Sequence, residues 1–273
     1  MPLVLPPFED RLSKAVAHYW RTLDAQKGKQ KAGTDHGNRS AVTGGKQMDG
    51  FCSLVEWLLL QNGLGEASIY VRSRREIPGY FRPTKDWDMI VVHEGHLVAA
   101  VEFTSVRVAP HDKDVNVRME ETIILAANAW RAFREGICGM ASPRPWLGWV
   151  MLFEDRTFQL RSALPSRTHP DTVRELWVES CGRRHEHVLR KFAQERLFDS
   201  AALIASMGKA GAQGAFVEPA ADLTLKRSLA SLMGHIGGHL ALTGSRSGRF
   251  KETATVLRRK GCAREDGSHL ARV

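Results

Sequence analysis

Residues 79–106, GYFRPTKDWDMIVVHEGHLVAAVEFTSV, constrain this chain more than any other stretch, because two nearly unbroken apolar runs lie there only a few polar residues apart. Met89-Ile-Val-Val92 and Leu97-Val-Ala-Ala-Val101 read as strands buried on both faces, and Glu94-Gly95 supplies a two-residue hairpin turn. Asp88 opens the first strand and Glu102 lies near the end of the second, so antiparallel pairing brings both acids to the same end of the hairpin. Two carboxylates placed there repel each other, and neither ionises cheaply unless a cation or a shared proton relieves them. Magnesium does this with one or two carboxylates, completing its shell with water and phosphate oxygens. The pair is therefore a candidate phosphodiester-cleaving centre. In the alternative reading, Asp88 caps a strand and Glu102 forms a salt bridge.

Charge narrows the partners. A net charge of +9 over 273 residues, with a pI near 9.6, favours a polyanion, since clustered Lys and Arg gain free energy by releasing counterions from nucleic acid. Charge alone would also suit an RNA or a membrane surface. Cys52, Cys138, Cys181 and Cys262 are scattered without a Cys-x-x-Cys pair, which indicates neither a zinc site nor a disulfide framework. The N-terminal residues lack the pattern of a secretory signal, and no apolar run approaches membrane-spanning length. The expectation is a cytoplasmic protein.

Helical spacing of Phe8, Leu12, Ala15, Val16, Tyr19, Trp20 and Leu23 predicts an amphipathic helix to about Gln26. Residues 26–47 form a basic, Gly-rich loop. Thr43-Gly-Gly-Lys46 within it is not a nucleotide-triphosphate loop, because Ser40 stands where the first glycine belongs and Gln47 where Ser or Thr is needed. Asp49 is placed as the N-cap of a helix through Phe51, Leu54, Val55, Leu58 and Leu59 that stops at Gly63. After the hairpin, a helix is expected from about Asn116 to Glu135 with Ile123, Ile124, Ala127, Trp130 and Phe133 inward, then a buried strand over residues 146–153. Strand, helix, strand implies a crossover and an α/β sheet. Two helices follow, about Arg183 to Met207 and about Leu223 to Leu242, with His185 and His187 read as surface. Residues 243–273 are a basic tail expected to be disordered or peripheral, leaving residues 1–242 as the domain.

Several ordered motifs go further. Val42-Thr-Gly-Gly-Lys-Gln-Met-Asp-Gly-Phe51, Pro78-Gly-Tyr-Phe-Arg-Pro-Thr-Lys-Asp-Trp-Asp88, Ala99-Ala-Val-Glu-Phe103, Asn116-Val-Arg-Met-Glu-Glu121 and Arg134-Glu-Gly136 closely resemble the XhoI family of type II restriction endonucleases. The similarity extends from about Phe8 to Ile236. It implies a nuclease core of the PD-(D/E)-x-K type, a mixed sheet flanked by helices, acting as a homodimer with Mg2+ on a palindromic duplex DNA site that has TCGA at its centre. A cognate DNA methyltransferase is implied as functional partner.

Carried onto this sequence, the acids are Asp88 and Glu102, the carbonyl between them that of Phe103, and the position two residues after the glutamate, a lysine in the family, is Thr104. Threonine can hydrogen-bond but carries no charge, so the cation that stabilises the transition state is missing there. This opens a second expectation, a catalytically silent relic that binds DNA without cutting. Arg39, Lys46, Arg82, Lys85, Asn116 and Arg118 are assigned to DNA contacts. Lys85 and Arg107 are the cations nearest the acids in sequence, and both are read as phosphate contacts.

Overall fold

The computed structural model describes residues 5–31, 45–72, 76–106, 112–139, 142–154 and 181–260. Along the chain run α1 (Glu9–Lys31), a 3-10 turn (Lys46–Met48), α2 (Asp49–Gln61), β1 (Ile69–Val71), β2 (Glu76–Pro78), β3 (Thr84–Asp86), β4 (Met89–His93) and β5 (His96–Val106). Then come α3 (Asp112–Arg134), β6 (Trp146–Glu154), α4 (Cys181–Gln194), β7 (Ser200–Ser206), the short α5 (Gly208–Ala212) and α6 (Leu225–Lys260). β2 and β3 form a separate two-stranded ladder.

The main sheet has the order β1-β4-β5-β6-β7. β1, β4 and β5 are antiparallel, whereas β5, β6 and β7 run parallel. Parallel neighbours need a crossover, and α3 supplies it between β5 and β6. Both faces are covered. On one, Val91, Val101, Phe103 and Val150 pack against Val16 and Trp20 of α1, Phe51 and Leu58 of α2 and Leu229 of α6. On the other, Ala100, Leu147, Trp149 and Phe153 pack against Ala126 and Trp130 of α3 and Leu189 and Phe192 of α4. Strands covered on both sides must be apolar throughout, which is why β6 reads WLGWVMLFE with only its last residue half-exposed.

The expected apolar stripes of α1 and α2 are buried as predicted. Elsewhere the structure differs. The segment read as one helix to Met207 is α4 followed by β7. Arg196 takes φ 54, Leu197 N donates to Phe192 O, and the apolar run Ala201–Ala205 becomes a parallel edge strand. Ala and Leu favour a helix locally, but a fully buried short run is equally a strand, and the free edge of β6 decides it. His185 lies in the core, edge-on to Phe153 with ring centroids 4.7 Å apart, instead of at the surface.

α3 begins at Asp112 and is rotated from the expected face. Met119, Thr122, Leu125, Ala126, Ala129 and Trp130 are buried while Ile124 is 59 % exposed, so the buried side of the helix includes two alanines that carry little apolar weight in the sequence pattern. The basic stretch from Lys27 to Lys31 continues α1, and α6 runs on to Lys260, past the expected end at Leu242. Most of the basic loop, including Arg39, and residues 261–273 lie outside the described residues. No helix among the described residues is long and apolar enough to cross a membrane.

α3 also anchors the loop between β2 and β3. Asn128, 2 % exposed, accepts hydrogen bonds from Tyr80 N and Phe81 N through Oδ1, both 2.8 Å, and Gly79 fits against it where a Cβ would clash with the amide. Asn128→Ala removes the acceptor of two backbone donors and is expected to cost about 1–3 kcal/mol of stability, measured as a lowered urea midpoint at unchanged slope.

Candidate active site

The site grows out of the way one hairpin ends. Glu94 and Gly95, with φ 51 and 80, make a turn in which both central residues are left-handed, and this locks the register of β4 on β5. The ladder starts at Met89 opposite Val101, so the next step outward sets Asp88 opposite Glu102. β5 continues to Val106, paired on its other edge with β6. At the vacated edge the Asp88 side chain takes over from the ladder, and its Oδ2 accepts a hydrogen bond from Phe103 N at 2.9 Å. The N–H and C=O of one strand residue project from the same edge, so the Phe103 carbonyl also lies along the Asp88 side.

Arg72 closes the site from the side of α2. Its backbone N donates to Asp88 O at 2.9 Å, its Nε lies 3.8 Å from Asp88 Oδ1, and its NH1 pairs with Asp49 Oδ1 at 3.0 Å. Gly45 is left-handed at φ 53 and lies against the guanidinium, where any Cβ would meet NH1 at 2.7 Å. Asp49 is therefore an ion-pair partner near the site. It is not the N-cap expected for α2, a position that falls on Met48 with no side-chain cap.

Burial and mutual repulsion govern the acids. Burial is the main cause that raises the Asp88 carboxyl above its usual range, opposed by the Phe103 hydrogen bond and by the Arg72 and Lys85 charges. Glu102 is pushed up to about 8, first by burial and then by the Asp88 charge. Its Oε2 is closed off from solvent without a hydrogen-bond partner. A buried acceptor left empty beside a second carboxylate is what a hard cation would satisfy. Among the described residues no three His, Cys, Asp or Glu side chains are grouped to hold a metal. The candidate donors here are two carboxylates and a backbone carbonyl, a set that would suit a hard ion that keeps several waters.

The remaining predicted residues divide. Thr104 is next to the acids on β5, but its Oγ1 accepts a hydrogen bond from the Trp149 indole at 2.9 Å. Lys85 is half-buried on β3 and attracts both carboxyls. Arg82 is exposed, with Nε donating to Thr84 O at 2.9 Å, and Lys46 is exposed on the 3-10 turn. Asn116 and Arg118 lie within α3, a turn or more past its start, and their side chains are outside the described residues, as is Arg39. Arg72 and Asn128 have site roles that sequence reading missed. Only the pairing of β1 with β4 sets Arg72 beside Asp88, and that pairing has no signature in the sequence.

A mixed five-stranded sheet between helices, with paired acids where the antiparallel hairpin gives way to parallel strands, is a restriction-endonuclease-like architecture. The chain belongs to the XhoI restriction endonuclease family, whose model matches residues 27–218. It is 38 % identical over 222 residues to the type II restriction enzyme BstVI of Geobacillus stearothermophilus, covering 80 % of this chain and 99 % of that protein. Against AbrI of Azospirillum brasilense it is 39 % identical over 183 residues, 62 % of this chain and 82 % of the relative. Against XhoI of Xanthomonas vasicola it is 36 % identical over 185 residues, 67 % and 74 % respectively. No solved structure matches the chain significantly.

The raised carboxyls set a pH dependence. A group whose folded-state pKa lies above its unfolded value stabilises fully below the unfolded value and loses that contribution as pH rises through the folded one, here about 8 for Glu102. Metal-free protein should therefore lose thermal stability between the ordinary carboxylate range and about pH 8, and Glu102→Gln should flatten this fall. Melting temperatures in chelator across pH 5–9 check it.

Proposed function

We propose that this protein is a magnesium-dependent, site-specific type II deoxyribonuclease that hydrolyses phosphodiester bonds at a palindromic duplex site. The single observation that carries the reading is the Asp88–Glu102 pair, with Phe103 N bonded to Asp88 and Glu102 Oε2 buried and empty. The names of the relatives agree with it.

Asp88, Glu102 and the Phe103 carbonyl would hold Mg2+, which when bound supplies Lewis-acid polarisation of the scissile phosphate and lowers the pKa of a coordinated water. The protein's own groups do the positioning. The Phe103 N–H fixes the Asp88 carboxylate, and Arg72, pinned by Asp49, keeps it oriented along the strand edge. Trp149 holds the Thr104 hydroxyl, so Thr104 takes the place of the usual lysine as a neutral, hydrogen-bonded group.

Exposed Lys46 and Arg82, together with Arg39, Asn116 and Arg118, are proposed to contact DNA, in keeping with the net charge of +9. A palindrome presents each half-site in two-fold symmetry, so the protein is proposed to act as a homodimer. Its place is the cytoplasm, alongside a methyltransferase that protects host DNA at the same site.

A second reading has an observation of its own. With Thr104 uncharged and engaged by Trp149, the protein would bind its site and leave it uncut, a silent relic of such an enzyme. Incubation of a duplex carrying a TCGA-centred palindrome with Mg2+ decides between the readings. The nuclease reading predicts cutting at one position per strand, lowered more than about a hundredfold by Asp88→Asn. Specific binding without cutting favours the relic, and loss of both cutting and specific binding would sink the two together.

A further inference from the structure

The arrangement of the small β2–β3 ladder bears on the cation that Thr104 cannot supply. β2 and β3 pair with Ile77 opposite Lys85. Directly opposed residues of an antiparallel ladder project to the same face, and residues two apart along a strand do likewise. Ile77 is buried in the cluster formed with Trp149, and Trp87, two residues beyond Lys85, is buried there too. Lys85 therefore projects to the Ile77 side and is half-buried, while Glu76 and Asp86, opposed in the same ladder, are exposed.

The same alternation places the acid. On β5, Ala100 and Val106 pack in the Trp149 cluster, whereas Val101 and Phe103 pack in the opposite one. Glu102 and Thr104 share the parity of Ala100 and Val106, and the Trp149 bond to Thr104 shows directly which side they face. Lys85, Glu102 and Thr104 thus converge on one side of the sheet. Arg72, the other cation at the site among the described residues, comes from the α2 side and is held by Asp49.

Building on the nuclease reading above, we propose that Lys85 is the catalytic cation of this enzyme, supplying from β3 the positive charge that its relatives' architecture would place at position 104. Electrostatics supports the placement: the Lys85 charge favours ionisation of both Asp88 and Glu102, and at Glu102 it is the largest influence in that direction. In hydrolysis a bond forms between a water oxygen and phosphorus, the opposite P–O ester bond breaks, the water's proton passes to solvent, and the departing oxygen is protonated from solvent. The Lys85 ammonium stays charged throughout. It orients the attacking water and stabilises the additional negative charge on the phosphoryl oxygens as five-coordinate phosphorus forms. Lys85 is thereby moved from the phosphate-contact role read from sequence to the reacting centre.

A phosphate contact and a catalytic cation separate by experiment. Single-turnover cleavage at saturating protein with Mg2+, and DNA affinity with its salt dependence in chelator, are measured for the natural chain, Lys85→Gln, Thr104→Lys and the double variant. The proposal predicts that the natural chain cuts and that Lys85→Gln lowers the saturated rate at least about a hundredfold while affinity changes less than about tenfold. It also predicts that the double variant recovers at least about tenfold of the loss, which shows the Lys85→Gln chain to be folded. A Lys85→Gln rate within threefold of the natural chain, with weaker binding and a shallower salt slope, marks a phosphate contact and overturns it. An inactive natural chain that Thr104→Lys activates also overturns it and leaves the nuclease ancestry standing. If neither the natural chain nor Thr104→Lys cuts, the nuclease reading itself falls.

Discussion

The hydrogen bond from Phe103 N to the Asp88 carboxylate is the interaction on which the site depends. β4 begins at Met89, so β5 outlasts it by several residues, and an unpaired strand edge inside a protein carries polar groups that must be satisfied. One carboxylate oxygen of Asp88 satisfies the exposed N–H. This fixes a second carboxyl group next to Glu102, in surroundings that favour neither as an anion. The fold thus holds two acids in an arrangement whose repulsion only a cation or a retained proton relieves.

The rest of the molecule makes that arrangement rigid. The sheet faces are covered by α1, α2 and α6 on one side and α3 and α4 on the other, which buries the strands that carry the acids. The change from antiparallel to parallel pairing occurs at β5, the strand that carries Glu102, so the crossover through α3 departs from the same end of the sheet. Farther along α3, Asn128 holds the Tyr80–Phe81 loop that joins the two strands of the ladder bearing Lys85. Elements distant in sequence thereby reach one site.

Sequence reading recovered what short-range pattern determines. The hairpin register follows from Glu94-Gly95 and the apolar runs, and the buried stripes of α1 and α2 from helical spacing. It failed where tertiary context decides. Ala201–Ala205 is as apolar as a buried helix, and only the open edge of β6 makes it a strand. The face of α3 was misplaced because Ala126 and Ala129, of low apolar weight, lie on its buried side while Ile124 faces out. At the site, Asp88 and Glu102 were legible because the hairpin is local. Arg72 and the inward projection of Lys85 were not, since both come from pairings between strands with no mutual signature in the sequence. Thr104 was visible as a departure, but that Trp149 engages it required the parallel register of β5 and β6.

The central claim is that Asp88 and Glu102 form one cation site whose proton the metal displaces. Calorimetric titration of the natural protein with Mg2+ at pH 7, in buffers of different ionisation enthalpy, tests it most directly. The account predicts a measured heat that varies with buffer, corresponding to release of close to one proton per site, falling towards zero above about pH 9 as Glu102 ionises unaided. Binding with no proton release at pH 7, or binding unaffected by Glu102→Gln, would contradict it.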